Sequence, residues 1–328
     1  MIAFLARRLI GAVLVLIAVS FITYLIFVQI PGGDPAQRIA GRTATDANIA
    51  DIRAKLHLDD PFYVQYWGMM QSLFNGSLKS YASQLDVVNE IKKGIPATLS
   101  LCIGAGIIWL GFGILVGIIS AVTAGRMSDR LITVFALIGI SMPVFWLGLI
   151  ARYLFAQGHP FAFLPDGEYV PLTSSPWQWF VHLLMPWWVL AVLFIGFYGR
   201  VLRSNILDTI NEDYVRTAKA KGLPANRVLV KHVLRNSLIP IVTLFGLDFA
   251  AVVGGSAILT ETVFNLHGVG QYAAESTQNL DLPPIMGVTI YATFFIVFFS
   301  VVVDFLYAWL DPRGKLAGGA APSTKISE

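Results

Sequence analysis

Six long stretches of the sequence carry almost no charged residue, and this feature limits the possible folds more than any other. Five of them contain no Asp, Glu, Lys or Arg, and the sixth contains a single one, Asp248. They cover residues 9–33, 94–125, 131–151, 169–199, 236–260 and 282–303. A helix needs about 20 consecutive apolar residues to cross a bilayer. The pattern predicts six membrane helices, at about 9–29, 99–123, 131–151, 178–199, 237–259 and 284–310.

The composition supports the same fold class, an all-α integral membrane protein. Only 13% of the 328 residues are charged and 56% are hydrophobic, whereas about a quarter of the residues are charged in a soluble domain. A disordered chain is excluded, because it could not leave so much apolar surface unburied. The basic residues lie between the apolar stretches and not on one face of a folded domain, which argues against nucleic acid as a partner.

The distribution of basic residues predicts that both termini are cytoplasmic. One set of short loops, with the two ends, carries fifteen Lys and Arg residues, eight of them at 200–235. The opposite short loops, 152–177 and 261–283, contain only Arg152. Such a bias places the basic side in the cytoplasm. The first apolar stretch exceeds the 7–15 residues of a signal-peptide core, so we expect it to be retained as a helix.

This topology divides the chain into four parts. An N-terminal segment with the first helix covers 1–33, and an extracytoplasmic cap covers 34–98, with short helices expected at 45–56, 64–74 and 87–92. A five-helix core follows at 99–313 and includes a cytoplasmic loop at 200–236. The tail, 314–328, is rich in Gly, Ala and Ser, and we expect it to be disordered.

The cytoplasmic loop has the signals of two short helices. Asn211, Glu212 and Asp213 can cap a helix that runs from Tyr214 to Lys221, and Gly222 stands where a C′ glycine belongs. Pro224 fits the first turn of a second helix that ends near Arg235.

Sequence patterns for catalysis are missing. There is no Gly-x-x-x-x-Gly-Lys-Ser/Thr loop, no His-Glu-x-x-His and no Gly-x-Ser-x-Gly, and the five histidines lack metal-ligand spacing. We therefore expect a chain that is not an enzyme and that binds no metal or other cofactor.

Residues 213–223, Asp-Tyr-Val-Arg-Thr-Ala-Lys-Ala-Lys-Gly-Leu, resemble the signature of ABC importer permeases of the peptide-transport branch. Arg216, Thr217 and Ala218 stand at the Glu-Ala-Ala positions of the general permease motif, and Gly222 stands at its glycine. Residues 232–240, His-Val-Leu-Arg-Asn-Ser-Leu-Ile-Pro, fit the peptide branch. Further similar segments are Leu5–Leu9, Pro31–Pro35, Leu58–Pro61, Ser141–Pro143, Thr260–Phe264, Gly268–Gly270, Asp304–Tyr307 and Asp311–Arg313. One departure is Gly76-Ser-Leu-Lys79, where the family often has Gly-Asp-Leu-Gly.

The resemblance is to the B-type permease of dipeptide and oligopeptide importers, with a type I ABC importer permease fold in the bacterial inner membrane. It implies half of a translocation pore, formed with a second homologous permease. Two cytoplasmic ATPases that hold ATP and Mg²⁺, an external substrate-binding protein and the lipid bilayer are the other implied partners. The residues implied to contact an ATPase are Asp213, Tyr214, Arg216, Thr217, Ala218, Lys219, Ala220, Lys221, Gly222 and Leu223.

Three alternatives stay open at this point. The same family also transports nickel, glutathione or other small cargo, and the permease sequence does not select among them. A stand-alone secondary transporter is less compatible with the chain, because no internal repeat is visible. A membrane enzyme would need clustered ionisable residues near one membrane face, and none is seen.

A few residues within the apolar stretches are candidates for the translocation path. An acid at mid-span, such as Asp248, costs about 2.5–3.5 kcal/mol and should face protein or water. Asp248 could attract a substrate ammonium group, or it could be a structural acid satisfied by a neighbour. Small residues allow close packing in the fifth span, and Pro143 interrupts the third. The candidates are Asp248, Gly254, Gly255, Ser256, Met142 and Pro143.

Overall fold

A computed structural model of the chain describes residues 2–29, 35–40, 45–55, 58–156, 158 and 161–310. The predicted tail at 314–328 and the motif at 311–313 lie outside the described residues, as does most of the motif at 31–35. The described part is helical apart from turns and two isolated β-bridges. In chain order the α-helices are α1 Ile2–Gln29, α2 Pro35–Ala40, α3 Asp46–Lys55, α4 Phe62–Phe74, α5 Val87–Val122, α6 Met127–Ser141, α7 Val144–Phe155, α8 Pro176–Thr209, α9 Asp213–Ala220, α10 Ala225–Arg227, α11 Arg235–Ser237, α12 Ile239–Ala251, α13 Ile258–Phe264, α14 Val269–Gln278 and α15 Leu282–Leu310.

The prediction of a helical membrane protein is confirmed, with a correction in the third span. Five helices are long and apolar enough to cross a membrane: α1, α5, α8, α12 with its continuation, and α15. Residues 131–151 were predicted to form one helix, but α6 and α7 meet there at an angle of 102°. Pro143 cannot continue the hydrogen-bond ladder of α6, and it precedes the first residue of α7. The pair counts as a sixth span only if both helices are taken together.

Two of the spans extend well beyond the apolar stretches that predicted them. α5 has 36 residues and α8 has 34, with Pro96 and Pro186 inside them. α8 continues to Thr209, so the connection that was predicted to begin at residue 200 begins after Thr209.

The cap region contains more helix than the sequence predicted. The helices expected at 45–56 and 64–74 are α3 and α4, and the one expected at 87–92 is the first part of α5. The short α2 was not predicted.

The chain forms two compact units. The first comprises Met1–Ile107, Met142–Ala191 and Ala251–Phe295. Its apolar core brings together α1, α4, the start of α5, α14 and α15, and it contains Tyr24, Met69, Met70, Leu78, Val87, Ile91, Val269 and Met286. Asp281, at the start of α15, holds the cap loop onto this core, because its carboxylate accepts hydrogen bonds from Ser80 Oγ (2.5 Å) and from the backbone N–H groups of Tyr81 (3.0 Å) and Ala82 (3.3 Å).

The second unit comprises Ile108–Ser141, Val192–Ala250 and Ile296–Glu328. Glycines allow α5 and α8 to approach closely in it. A Cβ atom on Gly113 would lie 2.7 Å from the Tyr198 Cβ, and one on Gly117 would lie 2.8 Å from the Leu202 Cβ. Small residues have this role in helix packing within membranes. Trp109, fully buried, stacks on Phe194 at a centroid distance of 4.4 Å and adds an aromatic contact between the same two helices.

π-helical turns follow two of the helices. Val228–Leu234 continues α10 into α11, and Val252–Ser256 continues α12. Within the second turn Gly255 has φ 144°, a conformation that favours glycine, and the helix direction breaks there. π-helical turns of this kind are frequent at functional sites.

Candidate functional site

The predicted helix of the cytoplasmic loop is present as α9. It spans Asp213–Ala220, and its Val215 (0% exposed) and Ala218 (5% exposed) are buried against the rest of the chain. The small side chain of Ala218 therefore serves packing within this chain, whereas Ala220 is exposed. Glu212 occupies the N-cap position, but no side-chain hydrogen bond caps the helix, contrary to the expectation for residues 211–213.

Tyr214 connects α9 to the helix that follows it. The Asn236 Nδ2 donates a 2.7 Å hydrogen bond to the Tyr214 Oη, which itself donates to the backbone carbonyl of His232 at 3.4 Å. Both partners belong to the segment His232–Pro240 that the sequence pattern singled out. The two motifs of the loop are therefore in direct contact.

Ser237 joins the end of α8 to the same helix. Its Oγ lies within hydrogen-bond distance of the Asn205 carbonyl (3.2 Å), the Thr209 Oγ1 (3.1 Å) and the Val233 carbonyl (3.0 Å). Asn205 in turn donates to the Ser237 carbonyl at 3.4 Å. The Tyr214 contacts join α9 to residues 232–236, and the Ser237 bonds join the next residue to the end of α8.

Gly222 ends the helix as predicted. Its φ is 76°, in the left-handed region that L-residues adopt only at a cost, and no atom lies within 4 Å of a Cβ built on it. The requirement at this position is therefore conformational and not steric.

The basic side chains of α9 point away from the chain. Arg216 pairs only loosely with Asp213, at 3.4 Å between two exposed groups, and such a pair contributes little to stability. Among the described residues, Lys219 and Lys221 are exposed and make no ion pair. Leu223 is half-buried beside them. α9 thus presents cationic groups on an outer face, while its inner face is packed.

A partly buried ion pair joins Arg203, ten residues before α9, to Asp129. The guanidinium of Arg203, on α8, donates from Nε to the Asp129 Oδ1 and from Nη2 to the Asp129 Oδ2, both at 2.8 Å. Asp129, at the start of α6, is 4% exposed and also accepts hydrogen bonds from the Ser120 hydroxyl and from the Gly125 N–H. This bidentate pair fixes the α5–α6 turn onto α8.

Asp248 has a protein partner. The Tyr198 Oη, on a fully buried side chain of α8, donates a 2.7 Å hydrogen bond to the Asp248 Oδ2. Asp248 itself is half-buried. The expectation that this acid faces protein or water is consistent with that contact, and its second carboxylate oxygen is not used by Tyr198.

The other path candidates lie in the first unit. Gly254 and Gly255 line a small cavity of about 30 Å³ together with Glu261 and other residues, and Ser256 ends the π-helical turn beside it. Pro143 starts α7 and Met142 lies at the break between α6 and α7. Asp248 belongs to the second unit.

Glu261 was not predicted as a site residue, although it lies in the segment 260–264 that resembles the permease family. It is fully buried, and the Thr98 Oγ1 donates to its Oε1 at 2.7 Å while the Gln271 N–H donates to its Oε2 at 2.9 Å. A Cβ on Gly268 would lie 2.3 Å from the Glu261 Oε2. The two segments that the resemblance named, at 260–264 and 268–270, therefore meet at this carboxyl group.

Burial raises the pKa of Glu261 to about 7, although the hydrogen bonds from Thr98 and from the Gln271 and Gly270 N–H groups oppose the shift. The carboxyl group is therefore partly protonated near neutral pH. The adjacent cavity, of about 30 Å³, has room for a single water that could hydrogen-bond to the Glu261 carboxyl group.

Sequence reasoning missed Arg203, Asp129, Asn205, Ser237 and Glu261. Arg203 was counted only as one of eight basic residues of the loop. The signal that could have found Ser237 was its place inside the segment 232–240, which resembles the peptide branch of the family. Nothing local in the sequence pairs Asp129 with Arg203, which are 74 residues apart.

Comparison with family models gives two matches. The model described as "Binding-protein-dependent transport system inner membrane component" matches residues 113–315. The model of the N-terminal part of such membrane components matches residues 1–102.

Curated relatives match over almost the whole chain. The probable D,D-dipeptide transport system permease protein DdpB of Escherichia coli (strain K12) is 39% identical over 96% of this chain and 98% of its own length. The dipeptide transport system permease protein DppB of Alkalihalophilus pseudofirmus is 36% identical over 96% and 100%. The glutathione transport system permease protein GsiC of Salmonella paratyphi A is 36% identical over 95% and 98%.

A solved structure shares the fold. The MetNI methionine ABC transporter in an inward-facing conformation has a chain that matches with a TM-score of 0.51 and 16% identity, over 67% of this chain and 96% of that one.

Proposed function

Since this chain belongs to the family of binding-protein-dependent transport system inner membrane components, we propose that it is the permease subunit of an ATP-driven importer of short peptides. It is a multi-pass protein of the bacterial inner membrane, and ATPase and substrate-binding proteins are the general partners of its family. The observation that carries the proposal is α9, a short helix packed on its inner face and cationic on its outer face, ended by Gly222 in a left-handed conformation.

The geometry around α9 suits the transfer of movement from an ATPase to the membrane helices. Tyr214 and Ser237 connect α9 and its neighbours to the end of α8, so a push on α9 is passed to α8 and not absorbed by a flexible loop. Asp129 and Arg203 then join α8 to α6. We propose that Asp213–Leu223 is the ATPase contact and that these bonds are the mechanical connection behind it.

The rest of the assembly follows from the same proposal. A second homologous permease completes the pore, two cytoplasmic ATPases bind ATP and Mg²⁺, and an external protein delivers the substrate. ATP hydrolysis then belongs to the partners, and this chain carries out no chemical step. Asp248, held by Tyr198, lines the path and attracts the ammonium group of the peptide.

Peptides are the proposed cargo because the relatives at 39% and 36% identity are named as dipeptide permeases. Glutathione is the second candidate, favoured by the relative at 36% identity that is named for it. Glutathione is itself a tripeptide with a free ammonium group, so the two readings require the same chemical features of the path.

Uptake by a strain that lacks this chain tests both parts of the proposal. We expect the loss of labelled dipeptide uptake, its restoration by the native chain, and co-purification of the restored chain with an ATPase. Uptake that continues after ATP depletion but stops when the proton gradient is dissipated would contradict the ATP-driven mechanism. A strain that keeps dipeptide uptake but loses uptake of labelled glutathione or of Ni²⁺ would replace the cargo and leave the mechanism intact.

A further inference from the structure

The outer surface of α4 is a stripe of exposed aromatic and aliphatic side chains. α4 has 13 residues, Phe62–Phe74, and none of them is charged. Tyr63, Trp67 and Phe74 are 61%, 70% and 80% exposed. With 3.6 residues per turn these positions fall on one side of the helix, together with Val64 and Gln71. A soluble surface helix would carry polar or charged residues on this side.

The opposite side of α4 packs on the core of the first unit. Met69 and Met70 are buried in the cluster that also holds Tyr24, Val87 and Met286. The exposed stripe is therefore not an unfolded or poorly packed surface. It is the exposed side of a helix whose other side is packed against the core of the first unit.

The contacts of α4 with α1 place it at the level of the membrane. The Tyr66 Oη lies 2.8 Å from the Ser20 Oγ, and the Tyr24 Oη donates to the Gln65 Oε1 at 3.2 Å. Ser20 and Tyr24 belong to the apolar span Ile10–Phe27. At 1.5 Å per residue, they lie about 10 Å and about 5 Å before the end of that span. The middle of α4 is thus beside the second half of a membrane-crossing segment.

α1, like α4, exposes apolar side chains. Leu14, Ile22 and Ile26 are at least half exposed, as expected for side chains that contact lipid. A helix of 13 residues is too short to cross a bilayer and has the length of an interfacial segment. Tyr and Trp are enriched where the hydrocarbon meets the headgroups, because their rings are apolar and their polar atoms reach water.

We propose that α4 is a membrane-interface helix whose stripe of Tyr63, Trp67 and Phe74 lies in the lipid leaflet beside α1. The sequence position of the cap suggested that it lies outside the membrane, but on this proposal α4, which is part of the cap, lies partly in the membrane. The occupant of the stripe is lipid and not a protein subunit. This proposal is independent of the cargo and of the coupling mechanism.

Spin-label accessibility in the assembled transporter in lipid nanodiscs tests the proposal. Cys102, the only native cysteine, is fully buried and is replaced by alanine. Single cysteines are then placed at Trp67 and Phe74, with Leu14→Cys as the lipid-facing control and Ala82→Cys as the aqueous control on the cap. We expect collision with O₂ relative to a water-soluble nickel chelate to be several-fold higher at 67 and 74 than at 82, and similar to that at 14.

Two results would overturn the proposal. One is a ratio at 67 and 74 that equals the ratio at 82. The other is the loss of accessibility to both reagents on assembly with the partner proteins, which would make the stripe a protein contact.

Native fluorescence gives a measurement without cysteine variants. Brominated lipids quench tryptophans that contact them, so we expect the quenched fraction of the emission to fall in Trp67→Phe. A quenched fraction that rises instead would place Trp67 away from lipid.

Discussion

Tyr198 donates a 2.7 Å hydrogen bond to the Asp248 Oδ2, so the acid within the fifth span is held by a buried phenol of α8. The bond sets the orientation of the carboxylate and leaves its other oxygen outside this contact. The contact shows that a neighbouring side chain satisfies one oxygen of this acid. A role of Asp248 in the translocation path stays a prediction.

The first prediction concerns Asp248. Replacement by asparagine removes the charge but keeps the shape, and we expect the KM for uptake of peptides with a free N-terminus to rise about tenfold, since a hydrogen bond to a charged group contributes about 1.5–3 kcal/mol. Transport of labelled dipeptide by whole cells measures this. N-acetylated peptides, which have no ammonium group, are the matched substrate control and should be affected less. An unchanged KM for both substrates would remove Asp248 from the path.

The second prediction concerns the ion pair between Asp129 and Arg203. Asp129→Asn removes the charge partner of the Arg203 guanidinium, whose side chain is 31% exposed, and we expect a loss of about 1–3 kcal/mol in stability, seen as a lower temperature of aggregation in detergent. Arg203→Lys should cost less, because it keeps the charge but loses the bidentate geometry. Arg200→Lys, at an exposed position of the same helix, is the control and should be neutral.

The same variants test the mechanical role of the pair. If the pair passes movement from α8 to α6, variants that remain assembled should hydrolyse ATP at a near-normal rate with reduced uptake. A proportional fall of both rates would indicate a purely structural role.

The third prediction concerns Gly222, whose φ is 76°. A β-branched residue there is strained by about 1–2 kcal/mol, so Gly222→Val should shift the end of α9 and weaken ATPase association and uptake together. Gly222→Asn should retain most of both, because asparagine tolerates the left-handed conformation. Pull-down of the ATPase with tagged permease measures association. If valine and asparagine behave alike, the conformation of Gly222 does not matter for coupling.

The fourth prediction is a pH dependence of stability due to Glu261. In the folded chain its pKa is about 7, against an ordinary value of 4.5. Between these values the folded state keeps a proton that the unfolded state releases, so stability should fall as pH rises from about 4.5 to 7 and then level off. The full effect is about 3 kcal/mol.

Thermal denaturation of the purified chain at pH 5, 6, 7 and 8 measures this dependence. Glu261→Gln cannot ionise and should flatten the curve over the same range. A variant with the native slope would assign the dependence to another group.

Several elements were predictable because their causes are local. Runs without charge mark the spans, since a charge at mid-bilayer is costly whatever surrounds it. The extent of α9 was predicted to within one residue at each end, and its end depends on the local backbone conformation of Gly222. Family membership was also readable, since the motif at 213–223 is a contiguous segment.

What the sequence could not predict depends on residues far apart in the chain. Pro143 indicated a break between α6 and α7, but the sequence could not predict the angle of 102° between them. The pairing of Asp129 with Arg203 joins α6 to α8, and no local pattern predicts that contact. Glu261 acquires its raised pKa only because folding removes it from water beside Thr98 and Gln271. The sequence by itself determined a helical membrane protein of the permease family with a short helix at 213–220, because apolar length and the glycine that ends a helix act locally. Tertiary structure decided which polar groups are buried, paired or exposed, because burial and pairing are properties of neighbours.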